Sequence, residues 1–170
     1  MKTKLLSILL FLTVIFTMNS CSSDSSESKN DSDSAKTSKE VEVYNYSTSE
    51  LEAMNLINDY RVSIGLNSLK KINHISFKSE EHDHYMIVNK VVNHDDFVAR
   101  SQNIIEVLHA KKVGENIAYN YNSPQSALTA WLNSPAHKEN IEGDFTHFGL
   151  AIKEDPTTGR KYYTNIFAKI

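Results

Sequence analysis

The chain has 170 residues, 40% of them hydrophobic and 23% charged, with a single cysteine and a formal net charge of −3. Once a leader and a polar segment are set aside, roughly 120–130 residues remain for one folded domain, enough to bury a proper core and too few for a multidomain assembly. Removing a leader that carries two lysines takes the charge from −3 to −5. Bulk electrostatics then offers nothing to a nucleic-acid backbone, and no nucleic acid is expected as a partner.

Lys2 and Lys4 precede an apolar run from Leu5 to Met18. At about 14 residues the run suits a signal h-region and falls short of the about 20 that a membrane span needs. Residues 1–20 therefore read as a signal peptide and the protein as exported. One cysteine cannot form an internal disulfide, so Cys21 is either a spare thiol in a discarded leader or the lipidated first residue of a bacterial lipoprotein. The sequence Asn19-Ser20-Cys21 resembles a lipobox, with Met18 departing from the usual Leu, and the lipoprotein reading is adopted. A membrane anchor at Cys21 and a location in the cell envelope follow from it. From Ser22 to Glu40 the chain is almost entirely Ser, Asp, Lys, Glu and Asn. Such a segment cannot bury apolar surface and serves as a disordered, charge-extended spacer. Large apolar groups return with Val41, Val43, Tyr44 and Tyr46, which gives a tether over 21–43 and a domain over 44–170.

Within the domain, Ser49-Glu50-Leu51-Glu52 has the pattern of a capping box. Leu51, Met54, Ile57, Tyr60 and Ile64 follow at helical spacing until Gly65. A second helix is expected from about Ile75 to Val91 with Phe77, Met86 and Val88 inward, and a short third over Ser101 to Ala110. Ser123-Pro124 places a capping hydroxyl before a first-turn proline and opens a helix through Leu128, Trp131 and Leu132, and Ser134-Pro135 repeats the pattern for a short last helix. Phe145 to Ile152 and Lys161 to Phe167 read as strands joined by a turn over 155–159. Trp131, in register with Leu128, is expected in the core. Asn58 and Arg61 are expected to tie the first helix to loops, and Asn116 to satisfy backbone groups in a turn after Glu115.

Several segments fall in a telling order: Ile57-Asn58-Asp59-Tyr60-Arg61, His82 to Met86, His94, Gly114-Glu115-Asn116-Ile117-Ala118, Ala130 to Ile141, Phe145 to Gly149, and Tyr162 to Asn165. Together they resemble the CAP superfamily, also called the SCP or pathogenesis-related-1-like family, in its bacterial single-domain form. The resemblance spans about Thr48 to the end and implies an α/β fold, a three-layer α-β-α sandwich with a central antiparallel sheet.

The resemblance also implies that His94, Glu115 and His137 converge in one open cavity; their spacing in sequence does not. Two imidazoles and a carboxylate can hold Zn2+ or another divalent metal with open positions. They can equally form a metal-free hydrogen-bonded cluster that lines the cavity. Where many eukaryotic relatives carry a second Glu, this chain has Ser134, which removes a fourth ligand. His82, on the face of Met86, is expected to line the same region; His84 is expected in solvent and His147 at a rim, while His74 and His109 carry no signal. Two functions stay open: a monomeric, envelope-anchored module binding a lipid, glycan or peptide, or a metal-assisted hydrolase in which Glu115 is ligand or base. No Gly-x-Ser-x-Gly elbow offers a serine nucleophile.

Overall fold

Ser47 starts the domain's first helix, α1 (Thr48–Ser63), and does so two residues upstream of the expected cap. Its hydroxyl accepts from the Glu50 amide at 3.2 Å, and the Glu50 carboxylate accepts from the Ser47 amide at 2.7 Å. The reason for the shift lies in tertiary contacts. Glu50 is buried, and its other oxygen accepts from the Tyr44 hydroxyl at 2.9 Å and the Ile152 amide at 3.0 Å. A carboxylate taken out of water needs such partners, and they fix it at the third helical position. The computed structural model describes residues 43–170; the expected leader, Cys21 and all but the last residue of the expected tether lie outside them.

After α1 come β1 (Lys70–Lys71), α2 (Asn73–Asn89), α3 (Phe97–Leu108), β2 (Lys112–Tyr119), α4 (Pro124–Asn133), α5 (Pro135–Ile141), β3 (His147–Glu154) and β4 (Lys161–Lys169). The sheet order is β1-β3-β4-β2. The three long strands are antiparallel, and the two-residue β1 joins β3 in parallel. Side chains of β4 alternate between two cores. Tyr163 and Phe167 point to α1, α4 and α5, among Met54, Ile57 and Trp131, whereas Ile166 and Ala168 point to α2 and α3, among Ile75 and Ile104. Helical layers thus cover both faces, and the fold is the α-β-α sandwich.

The sheet edges are closed by helix side chains. Beyond β1, the outer amide of Leu150 meets the Ser76 hydroxyl at 3.2 Å, and that of Ile152 meets Glu50. On the opposite edge, the outward carbonyls of Glu115 and Ile117 in β2 accept from the Asn140 amide group at 3.2 Å and the Trp131 indole at 2.9 Å. An edge whose polar groups are already paired is a poor template for another chain.

Two expectations require correction. Val88, expected inward, is 77% exposed; the buried side of α2 carries Ile75, Ser76, Ser79, His82, Asp83 and Met86. This side is small and polar because α2 lies directly on β3. A Cβ on Gly149 would stand 2.3 Å from the Ser76 amide nitrogen, and the Ser79 hydroxyl donates to the Gly149 carbonyl at 3.1 Å. Asn116, expected in a turn, is mid-strand in β2 opposite Asn165 of β4. Its amide group donates to the His137 carbonyl at 2.9 Å and accepts from Asn140 at 2.9 Å, so it fastens α5 to the sheet. The other ties follow expectation: Asn58 pairs with both backbone groups of Leu69, and Arg61 donates to the carbonyls of Asn67, Ile141 and Gly143.

Candidate functional site

Alternation along the edge strand β2 assigns its side chains to two layers. Gly114, Asn116 and Ala118 face α4 and α5, where a Cβ on Gly114 would stand 2.7 Å from the Asn140 side-chain oxygen. Glu115 and Ile117 face α2 and α3. Glu115 therefore reaches the N-terminal half of α3 and the loop before it, and there it meets Arg100 and His94.

The Glu115 carboxylate is saturated. Arg100 Nε donates to Oε2 at 3.0 Å and Nη2 to Oε1 at 3.0 Å, and His94 Nδ1 lies 2.8 Å from Oε1. The Glu115 side chain is 1% exposed and that of Arg100 9%, whereas His94 is half in solvent. A carboxylate only accepts, so His94 Nδ1 carries the proton and its Nε2 is turned away from the pair. Arg100 also donates to the Asp95 carbonyl at 2.6 Å, fastening the loop that bears His94. Sequence reasoning missed Arg100. Its signal was an arginine four residues before the buried Ile104 on an amphipathic helix, because a buried arginine demands a partner.

His82 sits beneath this loop. It is 1% exposed, donates through Nε2 to the Asn93 carbonyl at 2.8 Å and stacks on Tyr85 at 5.8 Å, with Nδ1 unpartnered. Burial lowers its pKa below the ordinary histidine value. Tyr85 and Asn93 both donate to Asp95 at 2.8 Å, which completes the loop's internal bracing.

His137, on α5, lines a cavity of about 350 Å³ at the β2 edge with Trp131, Ser134, Ile117, Tyr119, Tyr121 and Val92. Its pKa is lowered by burial first and by repulsion from His94 second, so the two imidazoles are electrostatic neighbours. Trp131 is 2% exposed and serves both the core and the cavity wall. Of the remaining histidines, His74 bonds Asn103 at 2.7 Å, His84 lies 3.7 Å from Glu80 with its ring mostly in solvent, His147 contacts the Thr146 hydroxyl at 2.8 Å, and His109 caps α3 in a left-handed conformation.

The structure thus joins His94 directly to Glu115, sets His137 in the adjoining wall and puts His82 behind the loop. Among the described residues no group of three or more His, Cys, Asp or Glu is arranged to hold a metal ion. The chemistry agrees: with a guanidinium 3.0 Å from each Glu115 oxygen, that carboxylate is neutralised and has no oxygen to give a cation. It orients an imidazole instead, as outer carboxylates do for histidine ligands. Any metal here would have imidazole nitrogens as its protein donors, which does not fit the three-residue ligand set.

Comparison with known proteins places this geometry. Residues 54–167 match the model of the CAP, or cysteine-rich secretory protein, family. Over 126 residues, 72% of this chain, the sequence is 33% identical to a protein of Bacillus subtilis named as the uncharacterized membrane protein YlbC, covering 35% of that protein. The chain therefore spans about a third of this relative's length. Among solved structures, an extracellular protein containing an SCP domain from Bacillus anthracis aligns over 72% of this chain and 40% of its own, with 26% identity and a TM-score of 0.64. An outer surface protein of Borrelia burgdorferi shares the fold over 70% of this chain and 90% of its own, with 20% identity and a TM-score of 0.64. By its sequence over 54–167 and by its sandwich, this chain belongs to the CAP family of cysteine-rich secretory proteins.

Proposed function

We propose that the protein is an extracytoplasmic ligand-binding module, tethered to the cell envelope through a lipid on Cys21, whose cavity at the β2 edge receives a lipid, glycan or peptide. The observation that carries the binding role is the saturated Glu115. With both oxygens committed to Arg100 and His94, the carboxylate beside the two imidazoles is a structural strut, and what remains open is a concave wall of Trp131, tyrosines, Ser134 and His137. The envelope location is supported by the leader and Cys21 in the sequence. It is also supported by relatives named as a membrane protein, an extracellular protein and an outer surface protein. No helix among the described residues is long and apolar enough to cross a membrane. The domain acts as a monomer on its tether.

One observation favours a second reading. The Glu115–His94 pair holds an imidazole in a fixed tautomer with its ring half in solvent, which is the form of a general base. Fluorescence of Trp131, the only tryptophan, during titration with fatty acids, oligosaccharides and peptides tests the binding role, beside ester and peptide turnover with and without zinc. Ligand-dependent quenching without turnover is expected. Turnover that vanishes in Glu115→Gln would establish the hydrolase. Membrane release, or retention as an uncleaved precursor, of Cys21→Ala tests the anchor, and a correctly cleaved Cys21→Ala that stays with membranes would refute it.

A further inference from the structure

A second hollow, about 430 Å³, shares Tyr119 as a common wall with the cavity. It forms where α2 ends and where the turn between β3 and β4 folds over the end of β2. Val88, 77% exposed at the end of α2, supplies an apolar side. The Tyr119 ring packs on Tyr162 at 4.8 Å, and Arg160 donates through Nη1 to the Tyr119 hydroxyl at 2.9 Å. Lys90 closes α2 in a left-handed conformation and adds a second cation.

The carboxylate that lines the hollow, Asp155, is held by its own turn. It accepts from the Thr157 amide at 2.8 Å and from the Thr158 hydroxyl at 2.7 Å, one bond to each oxygen. Among the described residues neither Lys90 nor Arg160 forms an ion pair. On a chain of net charge −3, the hollow sets two cations against one carboxylate beside an aromatic wall.

We infer that this hollow is the anion-binding subsite of an acidic glycan, whose chain crosses Tyr119 from the cavity and sets a carboxylate between Lys90 and Arg160. The inference rests on the binding role proposed above and names its ligand class. A peptide adding a strand at β2 would find the outward carbonyls of Glu115 and Ile117 occupied by Asn140 and Trp131, which closes that mode of peptide binding. A fatty acid brings one carboxylate for the cations but no hydroxyls for the rim of Tyr119, Thr157 and Thr158. A sugar ring presents an apolar face to an aromatic and hydroxyls to the rim, and its carboxylate suits guanidinium and ammonium donors.

The full-length chain is titrated with a hyaluronan hexasaccharide, which carries carboxylates, and with neutral chitohexaose, following Trp131 fluorescence as the reporter of cavity occupancy. The acidic oligomer should bind the wild type at least about tenfold more tightly than the neutral one, with an affinity that falls as salt rises. Arg160→Gln and Lys90→Asn, the latter chosen because Asn tolerates the left-handed backbone, should each weaken the acidic oligomer about tenfold, and Lys90→Asn, outside the cavity lining, should leave the neutral one unchanged. Circular dichroism melts confirm that both variants are folded. Equal binding of the two oligomers, or wild-type affinity for the acidic one in both variants, overturns the subsite while a Trp131 response preserves the cavity role. A Trp131 response to fatty acids or peptides but to neither oligomer also overturns the glycan. No response to any ligand class overturns the subsite and the cavity role together.

Discussion

Removing the Arg100 guanidinium as Arg100→Met keeps the stem that packs in α3 and deletes the charge. The Glu115 carboxylate, 1% exposed, would then keep only the His94 contact, and the Asp95 carbonyl would lose its 2.6 Å donor. Breaking one side of a buried ion pair costs about 3–5 kcal/mol, because the remaining charge stays out of water. In urea, with a slope near 2 kcal/mol per M, that is a midpoint shift of roughly 2 M. Pairing the change with Glu115→Gln removes the stranded charge, so the double variant should recover about 2 kcal/mol relative to Arg100→Met alone. Arg100→Lys should fall between, since one ammonium cannot reach two oxygens as a planar fork does. The assay is urea denaturation by circular dichroism on the four proteins of the cycle and the lysine variant. A loss under about 1 kcal/mol in Arg100→Met, or additive losses in the double variant, would show that Glu115 does not depend on Arg100 and would reopen that carboxylate for a cation.

Trp131→Ala should cost about 3–5 kcal/mol by emptying a fully packed site and freeing the Ile117 carbonyl; an unchanged thermal midpoint would make the ring a surface platform. His82, His137 and His147 all have pKa values lowered by burial, so the stability they confer is present above the unfolded value near 6.5 and is lost as pH falls through it. Urea midpoints should therefore drop between pH 7.5 and 5, and His82→Gln should flatten that drop; a flat wild-type profile would contradict it. Asp83 is fully buried with its pKa raised well above 3.8 by desolvation, so the sign reverses: its contribution is present below about pH 4 and declines as pH rises toward the folded value. Relative to Asp83→Asn, the wild type should lose about 1.4 kcal/mol per pH unit across that window, and parallel stability profiles for the two proteins would rule out a neutral buried acid.

Legibility in the sequence followed the kind of force at work. Proline and serine pairs before α4 and α5, and the turn before β4, are local devices, and they placed those elements within two residues. Ser47 and Ser49 both open a Ser-x-x-Glu pattern, and only Tyr44 and Ile152 decide between them, by burying Glu50. The β2 strand escaped notice because its α5-facing positions are Gly114 and Asn116, one small to admit Asn140 and one polar to bind α5, so no apolar alternation survives. The inner face of α2 was misread for the same cause: Ser76, Ser79 and Asp83 stand where a helix on an ordinary sheet would put leucines. The family resemblance supplied Glu115, His94 and His137 as a group, but their division into a saturated pair and a separate cavity wall depends on Arg100, and only the fold brings that residue to Glu115.

Adjacent residues of one edge strand hold opposite sides of the site. Glu115 reaches down to Arg100 and His94, and Asn116 reaches up to the His137 carbonyl and Asn140. Because successive strand side chains point to opposite faces, a one-residue slip of β2 against β4 would exchange these anchors. It would bury a carboxylate among α4 and α5 and leave Arg100 unpaired. The cost of that exchange makes the register of the β2–β4 ladder, and with it the separation of the two imidazoles, a property of the core rather than of the loops. The cavity is therefore built largely on rigid elements, Ile117 and Tyr119 of β2, Trp131 of α4 and His137 of α5, and the neighbouring loop of His94 is tied to the sheet through Glu115 and Arg100. A site so fixed suits recognition of a ligand by shape and by polar groups already in position.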